Sequence, residues 1–159
     1  MRLFLLTLIA FSLLFTACAD KKNNITPNGY EVIRLNKSNG KKPATGDIAI
    51  AQLYFYADGK LINSTRKNNR AMPIRIYSEE ELKKMKETGK PNPIYEAVSI
   101  MSVGDSVKVP LPITEEIRNS PSLANAQEAH YIIVLEEAKT EEEMKAEQQA
   151  EKKSPRTLN

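Results

Sequence analysis

Residues 94–112, Ile94 to Pro112, read IYEAVSIMSVGDSVKVPLP. Ile94, Ala97, Val98 and Met101 fall at i, i+3, i+4 and i+7, the spacing that lines one face of a helix. Asn92 supplies an N-cap, and Pro93 occupies a first-turn position where its missing N–H is not needed. Gly104 is expected to close the helix in a left-handed cap. From Ser106 the period switches to two, and SVKVPLP ends in prolines, the pattern of a strand that must stop. One apolar helical stripe leading straight into a strand predicts a helix packed on a sheet.

Strand patterns surround this unit. DIAIAQLYFYA, residues 47–57, is rich in β-branched and aromatic residues and reads as a buried strand. Asp58-Gly59 follows, a pair suited to a type I′ turn because Asp tolerates positive φ and Gly adopts it freely. KLINST then returns antiparallel, with Ile62 and Asn63 on the returning strand. YEVIRL, residues 30–35, is a further strand, and MPIRIY, residues 72–77, is a short one that Pro73 limits to a sheet edge or a strand start. HYIIVLEEA, residues 130–138, is the most apolar run outside the leader and predicts a central strand. Ser78 followed by Glu81 in SEEELKKMKE is a capping-box pattern; with only Leu82 and Met85 apolar, it predicts a surface helix. The fold class is α+β, an antiparallel sheet over one packed helix.

The chain has 159 residues, enough for one compact domain with tails. Arg2, the apolar run Leu3–Phe15, small Thr16 and Ala17, and then Cys18 form the tripartite layout of an export signal. The run covers about 20 Å as a helix, short of the roughly 30 Å hydrocarbon core. Cys18 is the only cysteine, so no intramolecular disulfide can form. LFTAC resembles the lipobox of bacterial lipoproteins, with Phe15 at a place usually held by Leu, and implies cleavage after Ala17 and a lipid on Cys18. An ordinary export signal with an incidental cysteine is the alternative. Expected boundaries are a signal at 1–17, a polar tether at 18–28, a domain over 29–138 and a polar tail over 139–159, a solvated helix or disordered. The whole chain carries 23 Lys+Arg against 20 Asp+Glu, a net of +3 that falls by one with the loss of Arg2. The basic pairs lack interleaved aromatics, which argues against a nucleic-acid surface. His130 has no companion for metal or acid–base work and reads as a strand residue.

The strand and helix order, with GDIAIAQLYFYADGKLINST, IYEAVSIMSVGDSVKVPLP and AHYIIVLEEAK, resembles the FK506-binding-protein (FKBP) family of peptidyl-prolyl cis-trans isomerases. Met101-Ser102-Val103-Gly104 is the most specific part. The resemblance implies a strongly curved antiparallel sheet wrapped on one short helix, and rotation about Xaa-Pro bonds without cofactor or metal. It also implies an aromatic-lined cup for the proline ring. Carried over position by position, the cup falls on Gln52, Ile62, Asn63, Met72, Ile94, Ile117 and Ile133, apolar for the most part and without one aromatic. Asn63 stands where the family has an aspartate. By default Ile62, Ile94 and Ile133 read as core, and Asn63 as a residue that satisfies loop backbone. Residues 78–92 are an insertion relative to the family's short form, either a lid or partner-binding element or an inert surface addition. The functions this implies are an envelope lipoprotein isomerase acting on exported proteins, a catalytically silent binding or chaperone module, or a structural subunit of an envelope assembly.

Overall fold

The computed structural model describes residues 24–153 other than 69 and 122; the side chains of 68, 116, 117 and 151–153 are outside the description. The signal and Cys18 also lie outside the described residues. Strands β1 (Asn24–Ile25), β2 (Glu31–Asn36), β3 (Ile48–Ala57), β4 (Lys60–Ser64), β5 (Met72–Arg75), β6 (Ser106–Leu111) and β7 (Ala129–Lys139) form one antiparallel sheet. Its order is β1-β2-β6-β7-β3-β4, with β5 also on β3. β7 is therefore central, as its apolar run predicts. β5 pairs with Ile48–Ala51 and β4 with Tyr54–Ala57, so two short strands share one edge of β3. Pro73 sits on that outer strand, where a missing donor breaks no ladder on the far side.

The hairpin turn has positive φ at both central residues, 46° at Asp58 and 72° at Gly59. Asp58 also accepts from the backbone N–H groups of Gln127 (2.9 Å) and Glu128 (3.0 Å), pinning the entry to β7. These two bonds hold its carboxyl below the usual range.

Helix α1 (Glu79–Glu87) starts with the capping box of Ser78 and Glu81, and helix α2 (Pro93–Ser99) with Asn92 accepting from Ile94 N–H at 2.9 Å. Ala97, Val98 and Met101 are fully buried against Ala49, Leu53, Val107, Ile133 and Leu135. Burying such side chains supplies roughly 1.5–3 kcal/mol each for the larger ones, so this stripe is the main source of cohesion between helix and sheet. α1 buries Leu82 (1 % exposed), so the 78–92 insertion is docked on the domain.

Two expectations are corrected. α2 ends at Ser99 with Ile100 as its C-cap, so Gly104, four residues beyond Ile100, does not cap it. Gly104 (φ +88°) instead belongs to the turn into β6, where Ser38 lies so close that a Cβ would crowd it. Asp105, completely buried, holds this turn by accepting from Ser102 N–H (2.9 Å) and Ser38 N–H (2.7 Å) and pairing with Arg34. Burial alone would raise its pKa; the two backbone donors and the guanidinium outweigh it and bring the pKa below the usual value.

The second correction concerns the tether, which the sequence extends to Asn28. Asn24–Ile25 already pairs with β2. Thr26 and Asn28 donate to the fully buried Glu96 of α2: Thr26 Oγ1 at 2.6 Å, Asn28 Nδ2 at 2.7 Å and Asn28 N at 3.1 Å. Polar residues with nothing apolar to bury read as linker, yet here they satisfy an internal carboxyl group. Beyond β7 runs helix α4 (Glu141–Lys153), whose described side chains are exposed except for half-buried Met144, with Lys139 paired to Glu147 at 2.6 Å.

Candidate functional site

Antiparallel pairing places one row of side chains across four strands: Asn63 opposite Phe55, Phe55 opposite Tyr131, and Tyr131 opposite Val109. Directly paired residues share a face of the sheet, and this is the face on which α2 packs. The Phe55 and Tyr131 rings touch, with centroids 5.0 Å apart and a 38° tilt. The next row on that face, Leu53–Ile133–Val107, lies under the core.

At the β3–β4 end of these rows the sheet opens into a concavity of about 320 Å³, whose lining includes Leu53, Phe55, Asn63, Met72, Ile94 and Tyr131. Ser64 and Thr65 complete it, so its walls carry no charge. Ile94 reaches it from the first turn of α2, fixed by the Asn92 cap. Met72 comes from the edge strand β5 and is 38 % exposed. Burial raises the Tyr131 phenol above its ordinary pKa, so the hydroxyl is neutral at physiological pH.

Of the seven residues the resemblance points to, Asn63, Met72 and Ile94 come together here. Gln52 does not. It lies on the opposite face, accepting from Thr65 Oγ1 at 2.7 Å and donating to Glu136 at 3.3 Å. With a period of two, one residue decides the face, and the concavity takes Leu53 instead. Ile62 is the extra residue of a bulge: Phe55 faces Asn63 while Tyr56 faces Leu61. It packs on a small cluster of Ala57, Leu123 and Ala126. Ile133 is 0 % exposed and fills the main core. Ile117 lies in the short helix α3 (Glu115–Arg118), and its side chain is outside the description. The expected loss of every aromatic is corrected too, since Phe55 and Tyr131 supply two rings. Phe55 stands in the sequence three residues before the turn and Tyr131 two before Ile133; only the cross-strand register joins them.

The site offers an apolar floor, two aromatic edges and a single carboxamide, Asn63, whose Oδ1 accepts from Ser64 N–H at 2.8 Å. Among the described residues no cluster of His, Cys, Asp and Glu suits a metal ion. Such a site can hold a ring and a neutral amide out of water, and it has no nucleophile paired with a base.

No family model and no curated protein sequence matches this chain. Among solved structures, FkpA from Escherichia coli is similar with a TM-score of 0.52 at 14 % identity, covering 77 % of this chain and 54 % of that one. A peptidyl-prolyl cis-trans isomerase from Pseudomonas syringae gives 0.48 at 14 % identity, covering 77 % and 84 %. AtFKBP13 gives 0.47 at 16 % identity, covering 72 % and 96 %. The chain spans about half the length of FkpA. Identities this low speak to fold alone, and the antiparallel sheet, the helix laid across its inner face and the similarity to FkpA make this an FKBP-like domain.

Proposed function

We propose that this domain binds Xaa-Pro segments of exported proteins in the Phe55–Tyr131–Ile94 concavity and accelerates their cis-trans isomerisation weakly. The observation that carries the reading is the uncharged, two-ring concavity at the start of α2 in an FKBP-like domain. Rotation about a peptide bond breaks amide resonance against a barrier of about 20 kcal/mol. The twisted amide is less polar than the planar one, so a water-excluding apolar site favours the transition state over the ground state. No covalent step is required.

The polypeptide would be presented at a bacterial membrane, periplasmic or surface-facing, by a lipid on Cys18. Support comes from the LFTAC stretch at the end of an apolar run. Fatty-acid labelling that disappears in Cys18→Ala is the expected result.

One observation favours a second reading, a silent binding or chaperone module. The only carboxamide of this rim is Asn63, which is uncharged and whose Oδ1 accepts from Ser64 N–H, so no charged group in the site distinguishes twisted from planar amide. Titration with Xaa-Pro peptides, followed at the Phe55, Asn63 and Ile94 signals together with turnover, separates the two. Shifts with turnover support the isomerase, and shifts without it support the module. Absence of shifts at all three positions removes both and leaves an assembly subunit.

A further inference from the structure

Cys18 and Asn24, the first residue paired in the sheet, are six positions apart. Even at full extension, six residues span at most about 20 Å. A lipid on Cys18 therefore keeps the β1 corner of the domain within about 20 Å of the bilayer surface. That is two to three Debye lengths of about 8 Å at physiological salt, so charges around the corner come within reach of the lipid headgroups.

The corner is basic, with an exposed apolar tip. Lys21 and Lys22 lie three and four positions past Cys18, at most about 10 and 14 Å from it. On the folded domain, Asn28 meets α1 at two points: its Nδ2 donates to Leu82 O at 2.9 Å, and its carbonyl accepts from Lys86 Nζ at 3.2 Å. This is the lysine-rich half of the helix; residues 83–90 hold Lys83, Lys84, Lys86 and Lys90 against Glu87 alone. Exposed Lys42 lines a groove with Pro27 and Leu82, so a second remote segment brings a cation to the same place. Ile25 of β1 is 64 % exposed, more than Leu35, Leu61 or Met72. Acids in the neighbourhood are Asp20, Glu31 opposite Ile25, and Glu79, which is paired with Lys83 at 2.7 Å.

We infer that this corner is a contact surface for anionic lipid headgroups, on which the anchored domain is seated instead of swinging at the end of its tether. The inference rests on the proposed lipid at Cys18. Lysines within a Debye length of anionic headgroups are attracted to them, and burying Ile25 in the interface adds an apolar contribution. The short tether makes such weak attraction sufficient, because it holds the two surfaces at a high effective concentration. β1 and β4 stand at opposite ends of the strand order, so seating on β1 keeps the β4 margin of the Xaa-Pro concavity open to exported chains.

The test uses the lipidated protein in vesicles that carry a nitroxide quencher at the headgroups. A fluorophore sits on Ile25→Cys or, as a control, on Leu61→Cys of β4; the acylated Cys18 thiol takes no label. Position 25 is expected to be quenched more on phosphatidylglycerol-containing vesicles than on pure phosphatidylcholine, and position 61 on neither. Salt of about 1 M, where the Debye length is about 3 Å, should erase the difference. One lysine near an anionic surface shifts the seated-to-swinging ratio about fivefold, so Lys42→Glu with Lys86→Glu should lower it about twentyfold. Both side chains are exposed, and the melting curve should hold. Absence of quenching at position 25 on anionic vesicles, or quenching that ignores lipid charge and salt, overturns the surface and leaves the anchor standing. Absence of fatty-acid labelling, with protein that does not float with vesicles, overturns both. Protection of position 25 from a water-soluble quencher on native membranes, but not on pure anionic vesicles, gives the surface to a protein and overturns the bilayer as its occupant.

Discussion

Tyr131 and Ile133 are two residues apart on the same face of β7, yet they do different work. Ile133 is sealed beneath Leu53 and Val107, while Tyr131 reaches the open end of the row beside Phe55. Ile133→Ala is expected to lower unfolding free energy by about 3 kcal/mol in urea titration, leaving the affinity of the folded protein for Xaa-Pro peptide within twofold. Tyr131→Ala should cost less stability and weaken that affinity about tenfold, the usual worth of a lost apolar contact surface. Equal effects on affinity would show that the site boundary is misplaced. Asp105 carries a second prediction. Its proton is held less tightly folded than unfolded, so its contribution is fully present above the unfolded carboxyl value of about 3.9 and is lost as pH falls through the lower folded value. Wild-type stability should therefore drop below about pH 4. Asp105→Asn is expected to be less stable at neutral pH and to show a flatter acid limb in urea midpoints measured against pH. Local signals were legible in the sequence: the Asn92 cap, the Ser78–Glu81 box and the Asp58-Gly59 turn depend on neighbours within a few positions. The long-range ties of Asp105 and Glu96 were not, because Arg34 and Ser38 lie 71 and 67 positions from Asp105, and Thr26 and Asn28 lie 70 and 68 from Glu96.

At the scale of elements, the strands and helices follow from periodicity, and the misplacements follow from bulges and polar clasps. The bulge at Ile62 shifts β4 against β3, and one position moved the expected site residue from Leu53 to Gln52 on the opposite face. Pairing register sits outside a pattern of period two. The N-terminal clasp is a similar case. Thr26 and Asn28 look like linker, and Asn28 also donates to Leu82 O at 2.9 Å, joining α1 to α2. The insertion is thus fastened to the helix that floors the site. A chain beginning at Tyr30 would leave the Glu96 carboxyl buried with its donors removed, at a cost of several kcal/mol. Introducing Glu96→Leu into that shortened chain should recover much of the loss, since an apolar replacement needs no donor. Thermal melts of the four combinations measure the coupling. Additive effects would mean that the clasp contributes nothing through Glu96.

For the whole molecule, the α+β order and the FKBP-like fold could be read from three stretches of sequence, because patterning and turn chemistry agree at each of them. The site could be read only in part. Asn63, Met72 and Ile94 were reachable by position, whereas Phe55 and Tyr131 meet only when β3 and β7 pair. Those two rings replace the reading of an apolar cup without aromatics, and they make weak isomerase activity physically reasonable despite a carboxamide at Asn63. The most direct test is exchange spectroscopy on a Leu-Pro peptide, comparing cis and trans signals with and without a small amount of protein. Interconversion well faster than the uncatalysed tens to hundreds of seconds, and falling back toward that rate with Tyr131→Ala, is the predicted result; wild-type protein leaving the uncatalysed rate unchanged would contradict it.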